Sequence, residues 1–220
     1  MKSAVSHLVK AITHAHPEIK ITQDKTSSIL LPKLQLQEKE ALIKIEINSV
    51  FRGTVFPVSE RLLCEMGQKL FESEFRLKTL SLGDLYAGKI CAALSRQHPR
   101  DLFDVKLLLS SYDITEEIRQ AFVVYLSGGN RPLHELLNPN LKPYAVQENI
   151  YTNEFLGMTD ERKDYRELAT IPHELAINLT ENMRESEKAF LLSVCAGRPQ
   201  WELMPFTHLK DLPALTMERN

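Results

Sequence analysis

The sequence is poor in the residues that mark several large enzyme classes. Only 8 of its 220 residues are glycine, about half the ~7% usual in globular proteins. It contains no GxGxxG and no GxxxxGK, so neither a dinucleotide fold nor a P-loop is supported. GxSxG, HExxH and an EF-hand loop are missing as well. The three cysteines, Cys64, Cys91 and Cys195, form no CxxC pair and stand beside apolar residues. They read as buried, reduced thiols of a reducing compartment, so the expected location is the cytoplasm. His7 and His14 can share a helix face, with His16 close by, yet no carboxylate or cysteine stands at ligand spacing, so they read as solvated. The longest apolar runs, such as Phe122–Leu126, are far shorter than the ~18 residues of a membrane span. The start, Met1-Lys2-Ser3-Ala4, leads into an amphipathic pattern and not into an apolar signal core. With 27 basic against 29 acidic residues, binding of nucleic acid by bulk charge is excluded, and only a local basic patch is left open.

What is present is a short strand-bearing region followed by helices. Val5, Leu8, Val9, Ile12 and Ala15 recur at helical spacing over residues 4–15, and Pro17 ends that helix. Strand-like runs follow at 18–22, 28–31 and 42–48; in the last, Ile43, Ile45 and Ile47 alternate with Lys44, Glu46 and Asn48. Gly53 and Pro57 punctuate the chain, and from there helices are expected at about 59–70, 81–95, 99–110, 115–127, 160–169 and 180–196. Ser81-x-x-Asp84 and Asp113-x-x-Glu116 resemble capping boxes, Pro99 suits a first helical position, and Gly197 is a helix stop.

Four residues stand out against this pattern. Lys89 falls in line with Leu82, Leu85 and Tyr86 on what reads as the core-facing stripe of its helix. A lysine there either snorkels to the surface or reaches an anionic partner. Asp101 and Asp104, three apart on the next helix, offer such partners. Asp101 in the first turn is explained by the helix dipole alone. Asp104 lies deeper, where a contact with Lys89 is geometrically reasonable, either as a packing ion pair or as part of a polar cleft. Glu46 on the polar face of its strand reads as a solvated glutamate or as a metal carboxylate. Carboxylate, lysine and aspartate together suit metal-dependent phosphoryl chemistry, with the lysine on phosphate oxygens.

The blocks Ile43–Asn48, Asp84–Ala93 and Arg100–Val105 together resemble the nucleotidyl transferase AbiEii/AbiGii toxin family. The likeness continues through Phe190-Leu191-Leu192-Ser193, Pro199-Gln200-Trp201 and Asp211-Leu212-Pro213-Ala214. It implies an α+β fold: a partial polymerase-β-like nucleotidyltransferase sheet over residues 1–57, followed by a mainly α-helical domain over 58–220. It also implies nucleotide transfer from an NTP with Mg²⁺, for some members to the tRNA 3′ end, in a toxin paired with a cognate antitoxin. On the matching positions, Glu46 is the third metal carboxylate and Lys89 contacts the NTP phosphates. Asp104 and Asp101 are catalytic aspartates of the last motif, and Arg100 joins Lys89 in holding the nucleotide.

The sequence departs from the family at both ends. The Gly-Ser turn with its Asp-x-Asp strand, expected ahead of the first helix, is missing, and no Asp-x-Asp occurs elsewhere. After Pro213-Ala214-Leu215 the family's Trp-Lys-Leu is replaced by Thr216-Met217-Glu218, so both ends read as cut. The expectation is an impaired nucleotidyltransferase. The alternative is a non-catalytic module that keeps a surface for antitoxin, tRNA or self-association through an open sheet edge.

Overall fold

A computed structural model of the chain describes residues 2–24, 33–46, 53–160 and 164–216. It divides into two compact units, Met1–Phe51 and Arg52–Asn220, with helices and two small antiparallel sheets, an α+β architecture.

In the first unit, helix α1 (Lys2–Ala15) accompanies a three-stranded sheet of β1 (Lys20–Asp24), β2 (Lys33–Glu38) and β3 (Ala41–Ile45), in the order β1-β2-β3. Both pairings are antiparallel, with Ile21 opposite Leu36 and Leu36 opposite Ile43. The Lys39–Glu40 turn that joins β2 to β3 holds Lys39 at φ +52°, a left-handed conformation that side chains seldom adopt. Val5, Leu34 and Leu36 are buried, with Val9, Ile12, Ile21 and Ile45 packed around them. This is the helix-on-sheet burial that the α1 periodicity predicts, except that Leu8 and Ala15 are exposed. The strand expected at 28–31, and Ile47 and Asn48 of the expected strand 42–48, lie outside the described residues.

The second unit begins with a correction. Where a helix over 59–70 is expected, the chain forms strand β4 (Ser59–Leu62) and then helix α2 (Glu65–Phe71). Strand β5 (Arg76–Thr79), absent from the sequence reading, pairs with β4 antiparallel. The strands alternate so weakly, with Glu60, Arg61, Arg76 and Lys78 among eight exposed or half-exposed residues, that a period of two is invisible.

Helices α3 (Leu82–Arg96), α4 (Pro99–Ser111) and α5 (Glu116–Ser127) follow as the capping signals suggest. Ser81 accepts from the Asp84 N–H at 2.9 Å, and Pro99 occupies the first turn of α4. Helix α5 starts later than Asp113 implies, because Thr115 is its cap, accepting from the Ile118 N–H at 3.3 Å. Nearly every side of α5 is buried, from Ile118 through Leu126, so it forms the spine against which α3 packs.

The remaining helices are α6 (Leu133–Leu137), α7 (Tyr144–Ile150), α8 (Tyr165–Ala169), α9 (Ile171–Asn182), α10 (Glu185–Cys195) and α11 (Pro213–Thr216), with a π-helical turn at Tyr151–Phe155. The helix expected at 180–196 is thus split, because Met183 and Arg184 are extended and a new cap begins α10. Gly197 ends α10 at φ +71° as expected. The thiols differ from expectation: all three cysteines are free, but Cys64 and Cys195 are exposed and Cys91 is half-buried.

The approach of α3 to α5 depends on Gly83. A Cβ there would meet Cε2 of Phe56 at 3.0 Å and the Glu117 carbonyl carbon at 3.2 Å. Backbone cannot yield as a side-chain tip does, so Gly83→Ala should lower unfolding free energy in urea by about 1–2 kcal/mol. Overpacking outweighs the helix propensity that alanine brings.

Candidate active site

Lys89 and Asp104 meet across the corner between α3 and α4. The corner is a two-residue connection in which Gln97 is left-handed at φ +51° and His98 caps α4. Gln97 is held by its side chain: its Nε2 donates to the Asn140 carbonyl at 2.9 Å, and its Oε1 accepts from the Lys142 N–H at 3.0 Å. His98 Nδ1 accepts from the Arg100 N–H at 3.2 Å. With the corner pinned, Lys89 Nζ donates to Asp104 Oδ2 at 2.5 Å. The two side chains are 40% and 31% exposed. A ligand can therefore reach the ammonium without displacing the core.

Lys89 makes the expected contact from a different face of α3 than the sequence pattern predicts. Leu82 and Leu85, read as core-facing, are exposed, and the buried side of α3 carries Gly83, Asp84, Ala87 and Ile90. Lys89 lies at the margin of that face because α5 approaches the small residues, not the leucines. On α4 the inward positions include Leu102, Val105 and Leu108, whereas Leu109 is exposed.

Asp101 is placed differently from Asp104. Its side chain is 4% exposed and takes Arg96 Nη2 on Oδ1 at 2.9 Å. Its Oδ2 is buried without a hydrogen-bond partner among the described residues. Buried at the helix start, it ties α4 to the last turn of α3. Arg100, its neighbour, is exposed. Glu46 belongs to the other unit, just past the end of β3. It is 61% exposed and paired with Lys33 at 2.8 Å. The hydrogen bond and charge of Lys33 hold its carboxyl below the usual glutamate range.

The residue with the densest set of contacts is Asp84, read from sequence only as a capping partner. It is fully buried. Oδ1 accepts from the Val55 N–H at 2.8 Å and the Tyr125 hydroxyl at 2.7 Å. Oδ2 accepts from the Phe56 N–H at 3.0 Å and the Ser81 hydroxyl at 2.8 Å. One carboxylate thus joins the segment ahead of β4, the start of α3 and the middle of α5. The signal available in the sequence was an acidic side chain between two leucines, which the Ser81 cap seemed to explain.

Burial, then the hydrogen bond to Asp84, pushes the Tyr125 hydroxyl well above the ordinary tyrosine range. Burial and neighbouring charge push Tyr165 up to about 12. Both groups are neutral when protonated, and their folded values lie above the unfolded value of about 10. Above that pH the unfolded chain binds fewer protons than the native one, so stability falls as pH rises. Urea midpoints should hold from pH 8 to 10 and drop from there towards 12, with a shallower drop in Tyr125→Phe.

Residues 1–190 match the family described as nucleotidyl transferase AbiEii toxin, of type IV toxin–antitoxin systems. The chain belongs to this family. No curated protein and no solved structure gives a significant match. Membership implies a toxin nucleotidyltransferase with an antitoxin as counterpart, and a reaction that draws on an NTP and a divalent metal. Among the described residues, no group of three His, Cys, Asp or Glu side chains is placed to hold a metal ion. Asp104 Oδ2 is engaged by Lys89, and Glu46 by Lys33. The carboxylates of the described residues therefore do not form a Mg²⁺ site among themselves. Among the same residues, no helix is long and apolar enough to cross a membrane.

Proposed function

We propose that this AbiEii-family chain transfers a nucleotide from an NTP to an RNA acceptor, the tRNA 3′ end. The observation that carries the reading is the Lys89–Asp104 pair. A partly exposed ion pair contributes only about 0–1 kcal/mol to folding. Such a pair is better suited to holding an ammonium ready for triphosphate oxygens, with Asp104 fixing its position. Arg100, exposed on the same helix as Asp104, adds a second cation for the nucleotide. Asp101, buried behind them, acts by holding the α3–α4 corner and not by touching substrate. In this reading residues 1–57 hold the nucleotidyltransferase sheet and residues 58–220 the helical domain. Because the 220 residues include no Asp-x-Asp, transfer by them alone is slow.

The test is transfer of each labelled NTP to total tRNA with Mg²⁺, comparing the chain with Lys89→Ala. Label on tRNA that disappears in the variant supports the reading. Label that persists unchanged removes Lys89 from the reaction, and label on none of the RNAs removes the activity from this chain. A second reading, a binding module for antitoxin, tRNA or a second copy, is favoured by β3, an outer strand among the described residues, whose Leu42 and Ile43 are exposed.

A further inference from the structure

Among the described residues, three besides glycine take a left-handed backbone: Lys39 at φ +52°, Glu72 at +47° and Gln97 at +51°. That conformation crowds Cβ against the backbone, which is why glycine usually fills it at a helix end. Lys39 and Glu72 carry it with their side chains in solvent. Gln97 is only 6% exposed, and both polar atoms of its amide are engaged. Backbone strain kept at a buried, fully bonded side chain points to what that side chain holds.

It holds a stretch of main chain. The amide donates to the Asn140 carbonyl and accepts from the Lys142 N–H, as a peptide group of a neighbouring strand would. Pro139 and Pro143 bracket that stretch, and their rings lock φ at both ends. The Pro143 carbonyl in turn accepts from the Val146 and Gln147 N–H groups at 3.1 and 3.2 Å, which joins the stretch to α7. The α3–α4 corner is thereby docked on a stiff support.

The corner governs the ion pair through leverage. Lys89 stands eight residues before Gln97, and Asp104 seven after it. At a rise of about 1.5 Å per residue, each sits at the end of an arm of about 11 Å. A change of about 5° between α3 and α4 then moves one arm end past the other by about 1 Å. Misplacement on that scale is enough to slow a reaction about 100-fold. Arg96 and Asp101 also span the corner, but Arg96 is 59% exposed and open to screening by solvent. The Gln97 amide is the buried tie.

We propose that Gln97 is a positioning residue. It carries the stiffness of the Pro139–Pro143 segment into the angle between α3 and α4, and so sets where the Lys89 ammonium stands over Asp104. The consequence for catalysis rests on the reading of Lys89 as a triphosphate contact; the consequence for the ion pair does not.

The experiment compares the full chain with Gln97→Gly and Gln97→Asn. Glycine suits the left-handed backbone and asparagine tolerates it, but neither presents an amide long enough to reach Asn140 and Lys142. Both of those residues are exposed, so water can serve their backbone groups, and the melting temperature should stay within about 3 °C. Lys89 is probed by brief acetylation with acetic anhydride and peptide mass spectrometry. Lys106, paired with Glu167, is the internal reference, and Asp104→Asn gives the rate of a released Lys89. Acylation needs a free amine, which the ion pair withholds, so Lys89 should react at least about threefold faster in both variants, with Lys106 unchanged. The kcat for transfer from NTP to tRNA should fall at least about tenfold. An unchanged Lys89 rate in the folded variants overturns the positioning role, whatever the chain does to NTP. Faster acetylation with undiminished transfer overturns it too, as does a melting temperature about 10 °C lower in both variants, which makes Gln97 a packing residue. If Lys89 is released in both variants but the unmodified chain transfers no nucleotide, the transfer reading falls and the hold of Gln97 on the ion pair stands.

Discussion

Asp84→Ala should be the most destabilising single change in the second unit, lowering unfolding free energy by about 3–5 kcal/mol. The side chain accepts four hydrogen bonds in a site closed to water. Removing it strands the Val55 and Phe56 amides and the Tyr125 hydroxyl, and each buried donor left without a partner costs about 1–3 kcal/mol. Set against the ~5–15 kcal/mol that holds a typical domain together, this is a large share. At about 2–4 °C per kcal/mol for a chain of this length, the melting temperature should fall by roughly 10 °C. Asp84→Asn should recover less than half, because its amide nitrogen would set a donor against the Val55 or the Phe56 N–H, neither of which can accept. Thermal melts of the two variants and of Tyr125→Phe, combined with the double variant, give the coupling energy directly. A coupling near zero would mean that the Tyr125–Asp84 hydrogen bond is not worth its geometry.

Lys89→Ala should do the reverse, leaving stability almost unchanged while removing nucleotide binding. Its ion pair is exposed enough to be screened, so its loss should shift the melting temperature by no more than about 1–2 °C. A charge-assisted contact to phosphate is worth about 1.5–3 kcal/mol, so NTP affinity measured by calorimetry should fall about 10- to 100-fold. Lys89→Arg should restore part of that affinity, since the charge returns with different reach. A melting temperature that drops by 10 °C with binding intact would instead identify the pair as packing.

The contrast shows what could be read from sequence. The corner between α3 and α4 was legible because Ser81, Pro99 and the brief connection between the helices are local signals, and local signals set where helices begin. That brevity also made a Lys89–Asp104 contact foreseeable. The orientation of α3 was not legible. Leucine is the more apolar residue, but Gly83 and Ala87 permit the close approach of α5, and tertiary packing chose that side over Leu82 and Leu85. Asp84 was hidden for the same reason: three of its four donors come from segments 28 to 41 residues away. β4 and β5 were invisible because charged residues hold most of their outward positions. The same sequence regions that matched the family did not disclose how deep each residue sits: Asp101, which the helix dipole alone explains, is 4% exposed, whereas Asp104 is 31% exposed.

Among its described residues the first unit buries only Val5, Leu34 and Leu36, a small core. The second unit has a core many times larger. On warming, the strand that leads to Glu46 should therefore let go before the helices that hold Lys89 and Asp104. Glu46 would then lose its Lys33 partner at temperatures where Lys89 and Asp104 still hold each other.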